Sequence, residues 1–171
     1  LEVPEIYEEI IEIRNIAREA GSRSKVAVYS NDENLDVKGA CIGRNGMRIQ
    51  NIIDELCGEK IDIVLWNEDI TEFVKNALNP AEVLSVEIIE EGEENMKVAR
   101  VLVAENQLSL AIGKKGQNSR LAARLCGVKI DIHTEPAEID EFEEYEEDTA
   151  FNDSFEDEVE ESAFAGLHEE D

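Results

Sequence analysis

The chain has 171 residues, 42 of them Asp or Glu against 16 Lys or Arg, giving a formal charge of −26. At roughly 100–200 residues per domain this is one domain or two small ones, and 42% hydrophobic residues suffice for a core. No apolar run approaches the ~18 residues of a membrane helix, and the acidic opening, LEVPEIYEEI, is no secretory signal. Cys41, Cys57 and Cys126 form no C-x-x-C pair, and His133 and His168 sit in no metal-ligand spacing. That points to a reducing cytosol and a cytoplasmic protein without metal. The chain starts at Leu1 without an initiator Met, so it reads as a fragment or a processed piece.

Taken in order, Ile6, Ile10, Ile13, Ala17 and Ala20 are spaced 4, 3, 4, 3, which predicts a helix opened by Pro4 and closed by Gly21. Lys25–Ser30 reads as a strand. After Gly46, the residues Ile49, Ile52, Ile53 and Leu56 mark an amphipathic helix stopped by Gly58, and Lys60–Leu65 alternates as a strand. Ile70–Leu78 is helical up to Asn79-Pro80. Leu84, Val86 and Ile88 alternate, Glu91-Gly92 marks a turn, and Lys97–Val103 is a further strand. Gln107–Ile112 is a short helix, Asn118–Cys126 a longer one, and Lys129–His133 a final strand. Cys57 and Cys126 read as buried helix-end thiols, Cys41 as partly exposed, and Trp66 as packing at a domain join.

The last 36 residues, 136–171, hold 17 acids and no Lys or Arg, so the preceding 135 carry 25 acids and all 16 bases. Such a tail cannot bury enough apolar surface to offset its ordering entropy, which predicts disorder. Yet Phe142, Tyr145, Phe151, Phe155 and Phe164 lie among its acids. That pattern suits a segment that binds a protein partner as well as an inert solvated tail.

The rest of the chain repeats itself. Ile42-Gly43-Arg44-Asn45-Gly46 aligns with Ile112-Gly113-Lys114-Lys115-Gly116 at an offset of 70, and Lys60-Ile61-Asp62-Ile63 with Lys129-Ile130-Asp131-Ile132 at 69. Two copies imply two small domains, 1–66 and 67–135, with 136–171 as the tail. In each copy a Gly-x-x-Gly turn precedes a helix. Glycines admit another backbone closely, and the amides at a helix start favour a phosphate. Arg44, Lys114 and Lys115 add charge there, and Arg48, Arg120 and Arg124 extend it along the helices. The plainer readings stay open: Gly43, Gly46, Gly113 and Gly116 as ordinary turns, and the arginines as solvated or acid-paired faces.

A helix–strand–strand–helix–helix–strand order with Gly-x-x-Gly between the paired helices resembles the prokaryotic-type (type II) KH domain. Across residues 1–135, PEIYEEIIEI, VAVYSND, GACIG, GMRIQNIIDELCGEKIDIVLW, NALNPAEVLSVEI and QLSLAIGKKGQNSRLAARLCG resemble the first and second KH domains of the NusA family of transcription termination/antitermination factors. The resemblance implies an α/β (α+β) fold of two tandem KH domains, each a small three-stranded sheet packed with helices. It also implies single-stranded RNA as ligand and RNA polymerase as partner. RNA would be held by Gly43, Arg44, Asn45, Gly46, Arg48, Gly113, Lys114, Lys115, Gly116, Gln117, Asn118 and Arg120. Gln117 and Asn118 would offer amides to base edges, while Ile112, Leu121 and the strands at 61–63 and 130–132 would line the grooves. The first loop departs from the common lysine-containing form, with Arg44 in its place, and a missing first-copy edge strand is expected at 1–3.

Rival readings are weaker. The Gly-Lys of a P-loop is followed by Ser or Thr, whereas Lys114 is followed by Lys115. A dinucleotide fold needs three glycines directly after a strand. No enzymatic activity and no cofactor are expected, and the chain is expected to be a monomer. A protein-interaction module working through the tail is the alternative, and single-stranded DNA a third ligand that loop chemistry does not separate from RNA. The net charge opposes phosphate binding, but screening over about 8–10 Å localises it.

Overall fold

The computed structural model describes residues 1–91 and 96–135. The elements run α1 (Pro4–Tyr7), β1 (Glu12–Glu19), β2 (Arg23–Tyr29), α2 (Val37–Ile42), α3 (Met47–Glu55) and β3 (Lys60–Leu65), then α4 (Ile70–Ala77), β4 (Ser85–Glu91), β5 (Met96–Val103), α5 (Leu108–Ile112), α6 (Gln117–Cys126) and β6 (Lys129–Thr134). Each half builds one three-stranded sheet, ordered β1-β2-β3 and β4-β5-β6. In both sheets the first pair is antiparallel and the second parallel. The parallel step is possible because a helix pair, α2–α3 or α5–α6, carries the chain back over the sheet. This is the mixed α+β architecture of two KH domains in tandem. The tail, and part of the Glu91-Gly92 turn, lie outside the described residues.

The first long helix is a correction. Pro4 does open a helix, but that helix ends at Tyr7, and Glu12–Glu19 is a strand paired with Arg23–Tyr29. The helical spacing misleads because the pairing register shifts between Ile13 and Asn15, which breaks the strand alternation. The apolar residues also serve two different cores: Ile11 packs into one and Ala17 into the other. β1 is therefore the edge strand expected at 1–3, where Val3 instead caps α1 and is buried. The helix α2 escaped the sequence reading; Asp36 caps it by accepting from the Gly39 N–H.

One core is small, joining Val3, Ile11, Val28 and Cys41 on the face of the first sheet that meets α1 and α2. The other is larger and continuous across both halves. Ala17, Ala27 and Val64 of the first sheet pack with Phe73, Leu78, Val101, Leu121 and Leu125 of the second half. Helix α6 thus lies against β1 and β2, and the central strand β2 is covered on both faces while most of β1 stays exposed. Trp66 packs at this junction, 5.2 Å from the Tyr29 ring and 6.5 Å from that of Phe73, with the Arg14 guanidinium 4.9 Å over it. The cysteines differ from expectation: Cys41 is buried and Cys57 exposed. Cys126 is half-buried, and burial pushes its thiol up to about 12.

Polar groups clamp the junction. Asn15 Nδ2 donates to the Leu125 carbonyl at 2.7 Å. Glu19 receives Arg120 Nε at 2.6 Å and Gln117 Nε2 at 2.9 Å. Those donors, Arg120 foremost, hold the Glu19 carboxyl down at about 2, against an ordinary 4.5. A depressed carboxylate stabilises the fold above its unfolded pKa and loses that contribution as pH falls through the folded value. Wild type should therefore exceed Glu19→Gln in stability near neutral pH, with the difference vanishing as pH falls from 4.5 toward 2. Denaturant unfolding of both proteins across that range checks this; a difference that persists in acid would exclude the ionised contact.

Candidate nucleic-acid interface

Each Gly-x-x-Gly turn is a tight hinge between two helices. α2 ends at Ile42, Gly43 takes φ 79°, ψ 170°, Asn45 φ 55°, Gly46 φ 73°, and α3 begins at Met47. The second hinge repeats this: Gly113 φ 75°, ψ 172°, Lys115 φ 54°, Gly116 φ 73°, before α6. Similar dihedrals at both sites show one local solution built twice. The N–H of Gly116 bonds back to the Gly113 carbonyl at 3.1 Å, and that of Gly46 to Gly43 at 3.0 Å. The middle residues Arg44, Asn45, Lys114 and Lys115 are exposed. Among the described residues, no carboxylate lies within ion-pair distance of Arg44, Lys114 or Lys115.

The two glycines of a hinge are not equivalent. A Cβ on Gly113 would sit 2.8 Å from the backbone N of Asn118, in a φ/ψ region essentially reserved for glycine. A Cβ on Gly116 meets nothing closer than the Arg120 guanidinium at 3.8 Å, in the left-handed helical region. Gly116→Ala should cost about 1–2 kcal/mol. Gly113→Ala should exceed it, with strain of order 1–3 kcal/mol added to the backbone overlap. Urea midpoints of the two variants measure the ordering; equal losses would contradict it.

The other predicted residues divide. Arg48 Nη1 donates to Glu5 Oε2 at 2.8 Å and to the Ala40 carbonyl at 2.7 Å, bracing α3 against α1 and α2. Arg120 spans Glu19 and the Lys115 carbonyl, the latter at 3.0 Å, and so ties the second hinge to the first sheet. Gln117 is held by Glu19 and by Ser22 Oγ. Asn118 corrects the expectation of a base-reading amide: it is buried, and its Nδ2 donates to the Leu78 and Ala111 carbonyls at 3.0 and 3.1 Å. Leu121 is likewise core rather than groove, at 0% exposure. Ile112 stays exposed, while Ile130 and Ile132 pack half-buried on the core.

Beside the first hinge lies a cleft of about 330 Å³, at the small end of the roughly 300–1,000 Å³ range of ligand pockets. Ile42, Ile49 and Ile53 of the helices face Ile61 and Ile63 of the edge strand β3 across it. Its polar lining is Arg23, Lys38 and Asp62, and Asn79 and Pro80 of the second half close one end. The sequence reading, which placed the strand at 61–63 along the groove, missed Arg23, Lys38, Asn79 and Pro80, since no local motif joins them and only the strand register and the domain junction bring them together. Behind the cleft Lys25 is fully buried, donating to Asp62 Oδ2 and to the Asn79 carbonyl, both at 3.1 Å. Burial pushes its ammonium pKa down, and Asp62 opposes that shift.

Comparison with known proteins agrees with this geometry. Residues 1–66 match the model of the NusA-like first KH domain, and residues 70–140 that of the NusA-like second KH domain. The chain is 54% identical over 135 residues to the transcription termination/antitermination protein NusA of Halalkalibacterium halodurans, covering 79% of this chain and 34% of that protein. It is 55% identical over 135 residues to the same-named protein of Bacillus subtilis, covering 79% and 35%. It is 55% identical over 143 residues to that of Thermus thermophilus, covering 84% and 35%. The chain thus spans about a third of the length of these relatives. Among solved structures, that of APE1850 superposes with a TM-score of 0.57 at 24% identity, covering 77% of this chain and 95% of that one, and shows the shared fold. With both domain models matched in order and both hinges in place, the chain belongs to the NusA-like KH-domain family, carrying its first and second KH domains in tandem.

Proposed function

We propose that the chain is a single-stranded-RNA-binding module of a NusA-type transcription factor, holding RNA along its two hinges by contact with the sugar–phosphate backbone. The observation that carries this reading is the repeated hinge: similar φ/ψ values at both sites, exposed cations at the tips, and a helix start behind each. In a KH domain that loop clamps about four backbone nucleotides while bases enter the adjacent apolar groove. Of the twelve residues expected at the interface, Arg44, Asn45, Lys114 and Lys115 are offered as direct contacts. Arg48, Gln117 and Arg120 act by fixing the hinges from behind. The large shared core supports both grooves acting as one rigid surface.

The relatives' names support a role in transcription termination and antitermination; RNA polymerase as partner and a cytoplasmic location belong to the same proposal. Among the described residues no helix is long and apolar enough to cross a membrane. The reading includes binding without catalysis, a monomeric chain, and domain limits at 1–66 and 67–135. Fluorescence anisotropy with a short unpaired RNA tests it. Three cationic phosphate contacts, Arg44, Lys114 and Lys115, predict a slope of log affinity against log salt near −2, from roughly −0.7 per contact. No binding, or an affinity indifferent to salt, would overturn it. Competition with DNA of the same sequence reads out the sugar preference.

A further inference from the structure

We propose that the first-domain groove reads a guanine base through Arg23, with Asp62 holding the guanidinium in its reading position. This rests on the RNA-binding reading above and adds a base preference to it.

The argument starts at the carboxylate. Asp62 lies on the edge strand β3, and its Oδ2 accepts from the buried Lys25 Nζ at 3.1 Å. Lys25 is in turn fixed by the Asn79 carbonyl, so the carboxylate is anchored from behind. Arg23 Nη2 donates to Asp62 Oδ1 at 3.1 Å, while its buried Nε lies 2.9 Å from Oδ2 as an ion-pair contact without a hydrogen bond. That contact commits one Nη2 hydrogen and leaves Nη1 and the second Nη2 hydrogen for another acceptor. Among the described residues no acceptor engages Nη1, and Arg23 lines the cleft.

An arginine fork lining a cleft of isoleucines matches two adjacent acceptors in one plane, which guanine presents as O6 and N7. Adenine puts an amino donor beside N7 and would face donor to donor. Two cations share the single Asp62 carboxylate, so the corner stays electropositive and favours an acceptor edge. The device belongs to one groove only. In the second sheet the register position opposite Lys129, equivalent to Arg23 opposite Lys60, is the buried Val98. There the aspartate of the repeat, Asp131, meets His133 at 2.9 Å instead.

The test titrates oligouridine RNAs carrying one guanosine, adenosine, cytidine or 7-deazaguanosine at each position in turn. For wild type, one guanosine position should bind roughly tenfold better than adenosine, as a bidentate contact discriminates, and 7-deazaguanosine should lose that gain. Arg23→Lys, which keeps the charge but not the fork, should abolish the preference while leaving the salt slope and thermal unfolding near wild type. A wild type indifferent to guanosine, a cytidine preference in its place, or a guanosine preference that survives in Arg23→Lys would each overturn the assignment and leave the hinge reading intact. Failure of every RNA to bind would overturn both.

Discussion

Replacing Lys114 and Lys115 together by Asp lowers affinity for a short unpaired RNA by on the order of 100-fold, since each charge-assisted contact contributes about 1.5 kcal/mol or more. Both ammonium groups sit on an exposed hinge with no acidic partner among the described residues, so reversal removes attraction and adds repulsion at the same two points. The backbone cost is small because the variant keeps both glycines, and Asp tolerates the left-handed φ of Lys115 better than most residues. The circular dichroism spectrum should stay native, and the salt slope should shrink in magnitude by roughly 1.4, two contacts at 0.7 each. Unchanged affinity, with the fold intact, would remove the second hinge from the interface.

Leu121→Ala should have the largest effect on stability, about 2–5 kcal/mol. Leu121 is at 0% exposure in the core that joins the two domains, and that core includes residues of both sheets. The cavity left behind would weaken the second domain and its seat on the first. Urea unfolding measures the loss. The remaining folded protein should bind RNA with near wild-type affinity in low denaturant. A stable Leu121→Ala protein with weakened RNA binding would return Leu121 to the groove.

The second domain was largely legible in the sequence because its elements follow simple periods. The strand Lys129–His133 and the helix Asn118–Cys126 lie within a residue of the structure. The first domain was harder, for a physical reason. Its β1 strand has an irregular register, and the apolar residues before and within it go to two cores, so Ile6 to Ala20 shows helical spacing although the helix ends at Tyr7. The hinges were legible because a Gly-x-x-Gly turn is local and occurs twice. What surrounds them was not. Asn118 and Gln117 look like free amides in a linear reading, yet tertiary packing commits one to the Leu78 and Ala111 carbonyls and the other to Glu19 and Ser22. Lys25 reads as the first residue of an ordinary strand and Arg23 falls outside it, whereas β2 begins at Arg23. Their roles exist only because β2 lies beside Asp62, and because Asn79 of the other domain arrives there too.

The most direct measurement is a two-dimensional amide NMR titration of the chain with an unpaired RNA of about eight nucleotides, two clamps of about four each. The account predicts that the amides of residues 43–46 and 113–116 shift together along one binding curve, with Ile61–Ile63 following as bases enter the cleft. Shifts confined to other surfaces, with both glycine hinges silent at saturation, would contradict it.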